Sequence, residues 1–187
     1  MTKTVYLGLG SNLGDRAANL ELAIAGLAAA GVHVVRRSSL YATEPVGSGP
    51  QHWFLNSVVE ASTDLLPRQL LRATQQVERG LGRRRSLRNA PRTVDIDVLF
   101  YGASVVSLPG LEIPHPRIAE RRFVLVPLRE IAPGLRHPAL RRTIAELLAE
   151  THDRSEVRRW QPSGETERAG AGHAGVSTGR DAHGESA

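Results

Sequence analysis

The chain runs to 187 residues with 41% apolar side chains and a net charge of +5, which suits one domain with a sizeable core. It contains no cysteine, no charged segment leading into a short apolar one and no apolar run long enough to span a bilayer, so nothing in it supports secretion or membrane insertion and a cytoplasmic location is expected. Lys3 is the single lysine and precedes every glycine, which excludes a Walker-type phosphate loop and marks much of the basicity as a preference for arginine.

Residues 4–9 read as a buried strand ending in a turn at Gly10-Ser11-Asn12, and residues 15–30 as a helix with Leu20, Ile24 and Leu27 as its apolar stripe. Residues 33–43 and 54–62 read as two strands joined by a Gly- and Pro-rich loop, 45–52. A second helix follows, capped by Thr63 or Asp64, with Leu70, Thr74, Val77 and Leu81 at helical spacing and Gly82 as its stop. An arginine-rich loop then leads into a strand at Asp95. Residues 104–113 suggest a short hairpin, 117–122 a helical turn, 143–150 part of a last amphipathic helix and 157–160 an edge strand. The domain is expected to close at 162. From 163 to 187 the residues are mostly glycine, small and polar, which cannot bury enough surface to offset ordering entropy, so a disordered tail is expected.

The chemistry is concentrated between Gly82 and Val98. Arg83, Arg84, Arg85, Arg88 and Arg92 run, with no acid among them, into Thr93-Val94-Asp95-Ile96-Asp97-Val98. On a strand, alternate residues share a face, so Asp95 and Asp97 point one way while Val94, Ile96 and Val98 point into a core. Two carboxylates roughly 6.5 to 7 Å apart at an effective dielectric near 20 repel by on the order of 2 kcal/mol. Arginines beside a carboxylate pair suit a polyphosphate site next to a Mg²⁺ site, because Mg²⁺ keeps waters and takes few protein oxygens. Nucleotide with Mg²⁺ is therefore the first expectation.

Other chemistries fit poorly. Gly8-Leu9-Gly10 follows a strand, but the third glycine falls at Gly14, one residue late for a dinucleotide fingerprint, and the second strand leads into an apparent hairpin. There is no G-x-S-x-G elbow, and the histidines lack zinc-site spacing. An RNA-binding module would need an aromatic-rich RNP strand, which is missing, so no nucleic-acid partner is expected.

Four ordered segments carry a family resemblance: Gly8-Leu9-Gly10-Ser11-Asn12-Leu13-Gly14-Asp15-Arg16, the stretch 41–56, Pro91-Arg92-Thr93-Val94-Asp95-Ile96-Asp97, and Ile113-Pro114-His115-Pro116-Arg117 continuing to Phe123 and Pro127-Leu128. Over roughly residues 4–135, and on to about 160, the chain resembles the 6-hydroxymethyl-7,8-dihydropterin pyrophosphokinases of folate biosynthesis. The resemblance implies an α+β, ferredoxin-like fold, a mostly antiparallel sheet flanked by helices. It also implies pyrophosphoryl transfer from ATP to the pterin hydroxymethyl group with release of AMP.

The resemblance further implies roles. Asp95 and Asp97 would hold two Mg²⁺ ions brought with ATP, and Arg83 and Arg92 would neutralise the transferring group, with Arg85 and Arg88 as helpers. Thr43, Val46, Phe54, Asn56 and Phe123 would form the pterin pocket, the two phenylalanines stacking on the ring and Asn56 reading its edge. His115 and Arg121 would contact ATP phosphates, with Gln75 and Glu78 near ATP. Partners are then ATP and the pterin, with a monomer expected and association with other folate enzymes open. Two departures stand out. Asn89-Ala90 replaces the tryptophan and glycine that many members carry, and Pro116 stands where some have tyrosine, so contacts from those aromatics do not carry over.

Overall fold

Strand β1 (Lys3–Ser11) buries Val5, Leu7 and Leu9 on one face and is paired along both edges, which makes it an interior strand of the sheet. The computed structural model describes residues 1–45, 52–82 and 93–161. In these, β1 is followed by α1 (Arg16–Ala29), β2 (Val32–Arg37), β3 (Tyr41–Thr43), β4 (Phe54–Thr63), α2 (Pro67–Gly80) and β5 (Asp95–Tyr101). The chain continues through β6 (Val106–Leu108), β7 (Leu111–Ile113), a 3₁₀ turn (Ile118–Glu120), α3 (Arg122–Ile131), α4 (Ile144–Glu150) and β8 (Val157–Arg159).

The main sheet runs β5-β1-β4-β3-β8, with β2 also on β4, and every pairing in it is antiparallel. Counting β2 and β3 as one interrupted strand, its core is the βαββαβ arrangement of a ferredoxin-like fold, as the resemblance implied. Helices α1 and α2 cover one face through Leu20, Ala23, Leu27, Leu70 and Val77. Helices α3 and α4 cover part of the other through Val124, Leu125, Leu128, Ile144 and Leu147 against Tyr6, Val58, Leu99 and Phe100.

The predicted hairpin, 3₁₀ turn, last helix and edge strand are all present as β6–β7, Ile118–Glu120, α4 and β8. Other expectations are corrected. β1 continues through Gly10 and Ser11, so Gly10 is a strand residue and not part of a turn, because both neighbouring strands pair with it. The predicted strand 33–43 breaks into two: the Ser38 backbone N–H donates to the Val58 carbonyl while its Oγ accepts from the Val58 N–H at 3.0 Å, and the register shifts by one residue beyond.

Helix α2 begins later than its expected cap. Thr63 Oγ1 is occupied by the Leu65 N–H and the Gly31 carbonyl, so the helix starts at Pro67 after Leu66 as its N-cap, with Gln69 Oε1 accepting from the Leu66 N–H at 2.8 Å. Gly82 ends the segment with φ of 87°, a conformation that favours glycine. Helix α3 was not foreseen because Pro127 lies inside it; Val124, Leu125, Leu128 and Ile131 nevertheless bury one stripe.

Two acids hold α3 against the sheet. Asp153 accepts from the Arg122 N–H at 2.7 Å, satisfying a first-turn donor, and Glu130 accepts from the Ser39 N–H, the Ser39 hydroxyl and the Tyr41 hydroxyl at 2.8 to 2.9 Å. The start of α3 is thereby tied to the segment before β8 and its last turn to the β2–β3 junction. No described helix is long and apolar enough to cross a membrane. The predicted tail, 163–187, lies outside the described residues.

Candidate active site

Three neighbouring strands bring the candidate residues together. Gly10 of β1 pairs with Asp95 of β5 on one side and with Asn56 of β4 on the other, and Gly8 pairs with Asp97 and Val58. Adjacent strands lie about 4.8 Å apart, so the carboxylate row and the amide row stand about 10 Å from each other across β1. Asp95 and Asp97 are partly exposed on the face away from Ile96 and Val98, which are buried under α1 and α2. This is the alternation expected from the sequence.

The strand that carries the carboxylates is pinned from its edge. Between Asp95 and Asp97, the Ile96 N–H donates to Glu78 Oε1 at 2.8 Å, and Glu78 is only 4% exposed. The carboxylate supplies the acceptor that β5, as the outermost strand, lacks on that side. Gln75, one turn earlier on α2, is exposed. The two polar residues that the sequence grouped therefore have different surroundings.

On the other side of the carboxylates, His115 is anchored to β5 by its backbone N–H on the Leu99 carbonyl, 3.1 Å. Its Nδ1 accepts from the Arg117 N–H at 3.1 Å, which leaves the proton of a neutral ring on Nε2. Burial first, and then the Arg121 guanidinium, push its pKa down to about 4, so the ring is neutral near pH 7. Arg121 Nη1 lies 3.4 Å from Nε2 and 3.5 Å from Asp97 Oδ2. Two donors thus converge beside a carboxylate, an arrangement that an oxyanion satisfies by accepting from both. The Arg121 guanidinium also lies 5.6 Å from the centre of the Phe123 ring.

Beyond β1, Asn56 is 7% exposed and its Nδ2 donates to the hydroxyl of Thr43, itself 2% exposed, at 2.5 Å. Phe54, two residues earlier on the same face, is half-buried, and Phe123 is half-buried at the start of α3. The Trp53 carbonyl accepts from Arg16 Nη1 at 2.7 Å, which fixes the entry to β4 against α1. Among the described residues the fold therefore gathers Asp95, Asp97, His115 and Arg121 into one group and Thr43, Phe54 and Asn56 into another. Arg121 connects the first group to Phe123. Val46, Arg83, Arg85, Arg88 and Arg92 lie outside the described residues.

The carboxylate pair fits Mg²⁺, which is commonly held by one or two carboxylates plus substrate phosphates and water. No group of three or more His, Cys, Asp or Glu able to hold a metal occurs among the described residues, so a site formed wholly by such protein ligands is not what this arrangement offers.

Paired carboxylates, a neutral histidine and a half-buried arginine thus share one face of a ferredoxin-like sheet. The family model for 7,8-dihydro-6-hydroxymethylpterin-pyrophosphokinase (HPPK) matches residues 6–133. Curated 2-amino-4-hydroxy-6-hydroxymethyldihydropteridine pyrophosphokinases are similar: that of Methylorubrum extorquens is 52% identical over 131 residues, 70% of this chain and 83% of its own. That of Bacillus subtilis is 44% identical over 162 residues, 86% of this chain and 92% of its own. A solved Plasmodium falciparum HPPK-DHPS structure shares the fold with a TM-score of 0.65 at 16% identity, covering 80% of this chain, which spans only 43% of that longer one.

The chain belongs to the HPPK family. It is an enzyme that transfers pyrophosphate to hydroxymethyldihydropterin in folate synthesis.

Two measurements check this geometry. Glu78→Leu leaves the Ile96 N–H buried without its carboxylate acceptor and should cost about 1–3 kcal/mol in urea unfolding, while Glu78→Gln, which keeps an acceptor, should cost less; equal stability of the Leu variant would contradict the edge-pinning role. For His115, the folded pKa lies below the unfolded one, so the unfolded chain takes up the proton first. Its contribution is complete above about pH 6.5 and is lost as the pH falls towards about 4, so His115→Asn should flatten the acid side of the stability curve; unchanged pH dependence would contradict the assignment.

Proposed function

We propose that the carboxylate group and the amide group on either side of β1 bind the two substrates. Asp95 and Asp97 hold two Mg²⁺ ions brought with ATP, His115 and Arg121 contact its phosphates, Gln75, Arg85 and Arg88 complete the ATP site, and the buried Glu78 supports it through the Ile96 N–H. Thr43, Val46, Phe54, Asn56 and Phe123 form the pterin pocket. Arg83 and Arg92 neutralise charge on the transferring group; arginines in that role are worth about 10³-fold in rate or more.

The observation that carries this reading is the pairing of Gly10 with both Asp95 and Asn56. A pterin whose edge is read by Asn56 and whose ring lies along the sheet directs its hydroxymethyl oxygen towards the carboxylates, where the β-phosphorus of ATP would sit. The hydroxymethyl oxygen bonds to that phosphorus and loses its proton to solvent, while the bond from the phosphorus to the bridging oxygen breaks and that oxygen leaves with AMP. When bound, Mg²⁺ neutralises phosphate oxygens and aligns the transferring group. The chain's own work is positional. The neutral His115 ring donates through Nε2, Arg121 supplies a fixed positive charge next to Asp97, and Thr43 restrains the amide that reads the ring.

The same reading places the enzyme in the cytoplasm as a monomer, with association with other folate enzymes open. In support of that last point, a similar protein of Pisum sativum named a folate synthesis bifunctional protein has its matching stretch in only 25% of its own length.

Phosphorus-31 NMR of Mg-ATP with and without 6-hydroxymethyl-7,8-dihydropterin tests the proposal on the parent protein and on Asn56→Leu. The parent should give pterin-dependent AMP and pterin diphosphate, with neither ADP nor free pyrophosphate. In Asn56→Leu the pterin affinity should fall by at least about 10²-fold, with binding of a non-hydrolysable ATP analogue retained. Pterin affinity that survives the substitution would show the pocket to be elsewhere.

A further inference from the structure

Gly8 and Gly10 occupy alternate positions of β1, on the face opposite Leu7 and Leu9, so the site stands over a strand with no side chains at two successive inward positions. The two glycines are not equivalent. A Cβ added to Gly8 would meet Leu99 at 3.5 Å, an ordinary contact. A Cβ added to Gly10 would lie 2.6 Å from Asn56 Oδ1, with Phe54 Cδ1 at 3.8 Å. The Asn56 amide therefore leans across β1 into the volume that any other residue at position 10 would fill. Its Nδ2 end is engaged by the buried Thr43 hydroxyl, so the Oδ1 end is the one presented over the strand.

Backbone conformation does not account for this glycine. Gly10 lies outside the left-handed region, unlike Gly14, Gly31, Gly82, Gly102 and Gly110, and the antiparallel ladder on both of its sides admits an L-residue. What excludes a side chain is the Asn56 oxygen. The amide belongs to a short side chain that can rotate aside, so alanine at position 10 displaces Asn56 and breaks its bond to Thr43 without opening the sheet.

We infer that Gly10 is a positioning residue for pterin recognition. It lets the Asn56 amide lie across β1 with Oδ1 presented to the ligand. The inference rests on the proposed role of Asn56 as the group that reads the pterin edge. It accounts for the second glycine of the Gly8-Leu9-Gly10 segment, which serves neither a turn nor a dinucleotide loop.

The test is a double-mutant cycle in the full chain, titrating 6-hydroxymethyl-7,8-dihydropterin in the presence of Mg²⁺ and a non-hydrolysable ATP analogue. Gly10→Ala should weaken pterin binding at least about tenfold while the affinity for the ATP analogue stays within about twofold. In an Asn56→Ala background the same Gly10→Ala change should alter pterin affinity by less than about twofold, because the amide it displaces is already gone. The Asn56 side-chain amide signal in a ¹⁵N correlation spectrum should shift in Gly10→Ala even without ligand.

Unchanged pterin affinity in Gly10→Ala, an equal penalty in both backgrounds, or an unmoved Asn56 signal would overturn the inference. If Asn56→Ala alone left pterin binding intact, the pterin-reading role of Asn56 would fail and with it the recognition part of the inference. The Asn56 signal in Gly10→Ala would still report whether Gly10 sets the place of the amide.

Discussion

Gly10 is hydrogen-bonded into the sheet between Asn56 and Asp95, and that double pairing sets the span between the two halves of the site. A strand spacing is nearly invariant, so two of them give a span of about 10 Å that side-chain motion changes little. Register carries the rest. A slip of one residue between β1 and β5 would turn Asp95 and Asp97 into the layer under α1 and α2, where Leu9, Leu20 and Val77 leave no acceptor of charge and no water. The cost of burying two carboxylates there enforces the register that the chemistry needs.

The interactions around the site hold strands and helix ends in place more than they add net stability. Glu78 satisfies the amide between the aspartates, Asp153 satisfies the first turn of α3, and Glu130 ties the body of α3 to the β2–β3 junction. Each is an acid placed on a backbone or hydroxyl donor that would otherwise compete for water. In all three cases sequence separation is long, so these acids couple the site to the completed fold. A chain with β5 or α3 out of place would have both unmatched donors and a site with the wrong dimensions.

Legibility from sequence follows locality. The carboxylate pair and its facing direction were readable because strand alternation acts over three residues, and β6, β7, α4 and β8 were readable for similar local reasons. Helix α3 was hidden by Pro127, whose effect on a helix depends on how much apolar surface the rest of the stripe buries. The cap of α2 was misplaced because Thr63 has a competing partner, Gly31, that lies 32 residues away. Gln75 and Glu78 looked alike at one-turn spacing, and only the position of β5 makes one exposed and the other buried. Gly10 was the most misleading residue. Glycine before serine and asparagine is a turn signal, and the reason for this one lies in the side chain of a strand partner far along the sequence. The glycine spacing of two, matching a strand's inward positions, was the signal that would have found it.

In the proposed arrangement the ATP phosphates and Mg²⁺ sit beside β1 on the β5 side, about one strand spacing from Gly10. Paramagnetic broadening by Mn²⁺ in place of Mg²⁺, with a non-hydrolysable ATP analogue and ¹⁵N-labelled protein, measures this directly. The amide signals of Gly8, Gly10, Asp95 and Asp97 should broaden most, with Asn56 broadened less and α4 little affected. Broadening centred on another face of the sheet, or equal at Asn56 and Asp95, would contradict it.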